Sequence, residues 1–141
     1  MATLQLENLY QDDVVQIDLD KGNAMLQFTF LQQPTLDQFR NRYQLAFDRA
    51  GLKGVKLWLT DAQKIKVMQP ENQTWLKQNM APLFASNQLQ KFAIVMAPEC
   101  FVMTNPHKVY EKPAEGKDAP VTGKIKVHFA KDAALDWLLN D

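Results

Sequence analysis

The sequence predicts an α/β fold: a single domain with a mixed, mostly parallel five-stranded sheet, an N-terminal antiparallel hairpin and packed helices. Three observations carry this. Two strand-like runs, at 14–19 and 24–30, are joined by a short turn. Apolar runs at 55–60, 92–97 and 124–129 then alternate with helical patterns, and such alternation implies right-handed crossovers between parallel strands. The run "VKLWL" (55–59) also has large side chains on both faces, as a strand covered on both sides requires.

Each element has its own signal. "DVVQIDLD" (13–20) and "NAMLQFTFL" (23–31) are β-branched or aromatic, and Gly22-Asn23 between them suits a tight hairpin turn. Thr35 and Gln38 have the capping-box spacing, so a helix starts there. Leu36, Phe39, Tyr43, Ala46, Phe47 and Ala50 recur at helical spacing, and Gly51 is expected to end the helix. In the next strand Val55, Leu57 and Leu59 are assigned to one face and Trp58 to the other. Pro70 suits the first turn of a second helix, whose apolar face is Trp75, Leu76, Met80, Leu83 and Phe84. Pro82 lacks a backbone N–H and should kink or split that helix. "KFAIVMA" (91–97) reads as a buried strand and "KIKVHF" (124–129) as the last one. Asp132 is placed to cap a final helix that turns Ala134, Leu135, Leu138 and Trp137 inward. The 18 residues of 106–123, with three prolines and two glycines, read as a long polar loop within the one domain, 1–141. Phe39, Tyr43, Phe47, Leu57, Leu59, Ile94 and Leu138 are the expected core.

Composition excludes some functions. With 16 basic and 16 acidic residues the formal net charge is zero, unlike the basic excess of a nucleic-acid binder. Residues 1–50 carry seven acids and four bases, and 51–141 carry nine and twelve. That mild asymmetry fits head-to-tail contacts between copies and fits an ordinary solvated surface equally well. The single cysteine, Cys100, cannot form an internal disulfide, which fits a reducing, cytoplasmic setting. The N-terminus has no signal-peptide pattern, and no apolar run reaches the ~18 residues of a membrane span.

Chemistry-bearing motifs are sparse. The five glycines are scattered, so there is no phosphate loop. His107 and His128, with one cysteine, give no metal-binding spacing. The candidate binding residues sit after strands, where open α/β sheets place their sites. They are Thr60, Asp61 and Lys64 after the third strand, and Glu99 and Cys100 after the fourth. Catalysis at Cys100 would need a base such as His107, and an Asp61–Lys64 pair would need shifted acidities. Neither forms a complete catalytic set, so no catalytic residue, metal or cofactor is assigned. Trp58, Trp75 and Trp137 read as core residues or, if they converge, as the floor of an apolar ligand site.

Four stretches together resemble a known family: "LWLTDAQKI", "PENQTWL", "KFAIVMAPECFVM" and "VHFAKDAALDWLL". They look like the SpoIIAA-like or STAS-like proteins of bacteria, over roughly residues 12–140. In the final stretch Phe129, Asp132, Ala134, Leu135, Trp137 and Leu138 match. The resemblance implies a small α/β sandwich acting as a regulatory interaction module, with a protein partner or a homodimer. In the family's phosphoswitched members a Ser or Thr follows an Asp at the start of the helix after the central strand. Here that stretch is Thr60-Asp61-Ala62-Gln63, in which only Asp61 matches. The expected function is therefore a non-enzymatic regulatory or protein-interaction module without an evident phosphoswitch. The alternatives are a carrier or sensor of an apolar small molecule or lipid, and an enzyme using Asp61, Lys64 or Cys100.

Overall fold

The computed structural model describes residues 5–67, 70–86, 88–97 and 125–140. Their strands form one six-stranded sheet in which every strand lies beside its neighbour in sequence. The strands are β1 (Leu6–Gln11), β2 (Val15–Asp20), β3 (Met25–Phe30), β4 (Leu57–Ala62), β5 (Lys91–Met96) and β6 (Ile125–His128). β1, β2 and β3 pair antiparallel, and β3 through β6 run parallel. The α/β class and the parallel half are as the sequence predicts, but the strand count is six rather than five. β1 is the addition. It is a mostly exposed edge strand whose pairing slips between Asn8 and Tyr10, so it lacks the apolar alternation that marks a half-buried strand.

Helix α1 (Leu36–Lys53) connects β3 to β4, and α2 (Pro70–Ala85) connects β4 to β5. Right-handed crossovers between successive neighbours stack both helices on one face. That face presents Ile17, Leu19, Leu26, Phe28, Phe30, Trp58, Phe92 and Ile94, buried with Phe39, Tyr43 and Phe47 of α1 and Leu76, Met80 and Phe84 of α2. Helix α3 (Lys131–Leu139) lies on the opposite face, where Ala134 and Leu138 bury Met25, Leu59, Ala93 and Val95. Of the expected core, Phe39, Tyr43, Phe47, Leu59, Ile94 and Leu138 are buried, and Leu57 is partly exposed. Val55 precedes β4 and joins the α1–α2 layer, so it does not share a face with Leu57 and Leu59.

Several boundaries differ for local reasons. The Thr35–Gln38 capping box forms, with both reciprocal bonds. Gly51 does not end α1; the helix continues to Lys53, and Gly54 takes the left-handed conformation, φ 67°, as its cap. At the β2–β3 turn the positive φ falls on Ala24, at 52°, rather than on Gly22 or Asn23. Asp20 steadies that turn by accepting from the Asn23 side-chain amide at 2.9 Å. Pro82 sits within α2 without splitting it, at the cost of the one backbone bond that its missing N–H would have made. Asp132 lies in the first turn of α3 but does not cap it; Ala130 is the N-cap residue and makes no side-chain bond. The 106–123 loop lies outside the described residues.

Candidate functional site

The described part of the loop after β4 is tied down near the carboxyl ends of the parallel strands. Gln33, just before α1, holds it. Its Oε1 accepts from the backbone N–H groups of Lys66 at 2.6 Å and Val67 at 3.3 Å. Its Nε2 donates to the Val67 carbonyl at 3.1 Å. One side chain thus satisfies three backbone groups that the end of β4 leaves unpaired.

Between this loop and the start of α1 lies a groove of about 410 Å³. Phe39 and Ile65 are its buried floor, both 1% exposed. Leu36 and Val67 also line it, and they remain 44% and 45% exposed. Large apolar side chains left this accessible on either side of a concave surface give a partner something to bury. Asn72, from the first turn of α2, lines the groove too, and its Oδ1 accepts from Arg40 Nε at 2.8 Å.

The electrostatics do not favour an anion, although the start of α1 faces this end. The capping box already uses the backbone N–H groups of Thr35 and Gln38. Asp37 and Glu71 add negative charge in the first turns of α1 and α2, while Lys66 contributes a positive charge. The charges are mixed in sign and the contact surface is apolar.

The residues singled out in the sequence are not gathered in this groove. Thr60 is fully buried, with its Oγ1 accepting from Trp58 Nε1 at 2.8 Å and 2.9 Å from the Tyr43 hydroxyl. Burial, only partly offset by Thr60, holds the Tyr43 phenol well above its ordinary acidity range. The trio is a core network with no route to solvent, so Thr60 is a packing residue. Asp61 is half-buried and closes the turn by accepting from the Gln63 N–H at 3.2 Å. Lys64 is exposed. Glu99, Cys100 and His107 lie outside the described residues. The three tryptophans do not converge: Trp58 and Trp75 belong to the α1–α2 layer, and Trp137 packs on the other face. His128 is half-buried on the edge strand β6, its ring 5.8 Å from that of Trp137.

Sequence reasoning missed Gln33, Leu36, Phe39 and Asn72 as site residues. Ile65 and Val67 did carry a signal, as apolar residues in a turn with no polar task. Gln33 carried none, because its contacts are 33 and 34 residues away along the chain.

Among the described residues no group of three or more His, Cys, Asp or Glu side chains could hold a metal ion. No described helix is long and apolar enough to cross a membrane. The chain matches no family model, no curated protein and no solved structure.

Proposed function

We propose that the protein is a non-enzymatic, cytoplasmic interaction module of STAS-like type, which takes a segment of a partner protein in the groove between α1 and the β4–α2 loop. The observation that carries this reading is the pair of exposed apolar residues, Leu36 and Val67, beside a buried floor and a loop fixed by Gln33. A preformed apolar groove with a polar rim suits two or three apolar side chains of an extended peptide, which become the anchors of the interface. The mixed charge at its edge selects against a small anion.

The STAS-like part of the reading draws support from the sequence resemblance and from the sheet, in which each parallel strand adds beside the previous one with helices on both faces. The buried Thr60 hydroxyl supports a module without a phosphoswitch, since no kinase reaches a side chain of 0% exposure.

The test is site-specific photocrosslinking in the native host. A photoreactive residue at Val67 is compared with one at Gln44, which is exposed farther along α1. The expected result is one crosslinked protein species specific to position 67 and abolished by Leu36→Asp, with the circular dichroism spectrum unchanged. The same species from both positions, or none from position 67, overturns the reading.

A further inference from the structure

A second cavity lies at the opposite end of the parallel strands, bounded by the last turns of α1, the start of β4, and Leu83 and Leu89. Its volume is about 150 Å³. The walls include Phe47, Ala50, Val55, Trp58, Leu83 and Leu89. The Phe47 and Trp58 rings stand 5.0 Å apart between centroids. Trp58 is fully buried beneath the cavity, stacked with Tyr43 and Phe92 and with its indole N–H committed to Thr60, so it closes the base without a free polar group. Lys56 and Gln88 are the polar side chains among the lining residues.

Gly51 also lines this cavity, and it is a residue without a structural reason to be glycine. Its φ is not positive; Gly54 alone among the described glycines has that conformation. A Cβ at Gly51 would meet no heavy atom within 4 Å. Within a helix glycine is disfavoured relative to alanine, so neither backbone geometry nor close packing accounts for it. A side chain at Gly51 would project into open space beside the cavity.

We infer that this cavity is a binding site for a small, uncharged, apolar molecule with a single flat ring, admitted past Gly51. The size argument is direct: an apolar cavity of ~150 Å³ accommodates a benzene ring. The walls are mostly apolar side chains with no buried charge, so a charged ligand would lose its hydration without compensation. The site stands apart from the groove proposed for a protein segment, and either can fail without the other.

The experiment is titration of the ¹⁵N-labelled protein with benzene, followed by NMR. Saturable shifts are expected at the amides of Gly51, Gly54 and Leu89 and at the Trp58 indole N–H. Gly51→Ala should weaken the apparent affinity several-fold, and Gly51→Leu should abolish the shifts, while both variants melt no lower than the parent. Shifts that do not saturate, shifts centred on Leu36 and Val67, or an affinity unchanged by Gly51→Ala would overturn the assignment. If Gly51→Leu fails to fold, the alanine variant alone decides it.

Discussion

On the face under α1 and α2 the sheet offers rings. Phe28, Phe30 and Trp58 meet Phe39, Tyr43 and Phe47, as at 4.6 Å between the Phe28 and Tyr43 centroids, and Phe92 stacks on Trp58 at 5.7 Å. On the face under α3 it offers Met25, Leu59, Ala93 and Val95 against Ala134 and Leu138. That second face also buries Asp18 and Gln27, which oppose each other across β2 and β3, and the Gln27 Oε1 has no hydrogen-bond partner among the described residues. The aromatic layer combines large area with edge-to-face and stacked ring pairs, worth more than area alone. The aliphatic layer is thinner and partly polar. The difference teaches that stability is concentrated on one side, and that both concave surfaces, the groove and the small cavity, are carved into the margins of that stronger side.

This contrast can be broken by mutation. Trp58→Ala should cost ~3–5 kcal/mol and Leu138→Ala ~2 kcal/mol, both read from urea unfolding. Equal losses would mean that the two layers contribute alike. Thr60→Val keeps the shape of the aromatic layer but removes the partner of the Trp58 N–H and the Tyr43 hydroxyl. A loss of ~2–3 kcal/mol is expected from the orphaned groups; a neutral result would show that the trio is not a functioning network.

A smaller effect tests the edge of the same side. Asp12 Oδ2 accepts from Arg42 Nε and from the Tyr10 hydroxyl, each at 2.6 Å, and its Oδ1 accepts from the N–H groups of Val14 and Val15. Burial pushes its carboxyl up, but these donors more than offset that and hold it at about 2, below the ordinary 3.8. A depressed carboxyl stabilises the fold above the unfolded value, and the contribution fades as pH falls from about 4 toward 2. The group is near the surface, so about 1 kcal/mol is expected to be lost over that window. Stability curves at several pH values should show this loss in the parent and its absence in Asp12→Asn.

The mildest change is favourable. Ala24 adopts φ 52°, a conformation that costs an alanine but not a glycine. Ala24→Gly should therefore raise stability by ~1 kcal/mol. A loss would show that the alanine methyl group contributes more by contact than it costs in strain.

Much of the stronger side was legible in the sequence, because its signals are periodic and local. Thr35 and Gln38 announced α1, and the spacing of Phe39, Tyr43 and Phe47 named the face that it buries. Strand β1 was not legible: in "LENLYQ" polar residues interrupt any alternation, and backbone pairing with β2 holds the strand in place. Gly51 misled for a physical reason, since a glycine near a helix end ordinarily supplies the left-handed cap, and here Gly54 does so three residues later. The groove escaped for another reason. The corner after Asp61 was identifiable, but the polar residues there draw attention, while the exposed pair Leu36 and Val67 acquires meaning only when the chain brings them together.

The sequential strand order has a consequence for how the chain is made. Every described strand pairs with its sequence neighbour, and none of them must wait for a partner that lies farther along. Lys56 and Leu57, for instance, bond to the Ala24 carbonyl at a turn completed long before they are synthesised. As the polypeptide leaves the ribosome, each finished strand becomes the template for the next, and the growing edge advances with translation. A non-sequential order, in which a late strand must insert between two early ones, would leave an open gap for the length of synthesis. Among the described strands the growing edge is always the one that the next strand covers, while β1 stays at the far edge throughout.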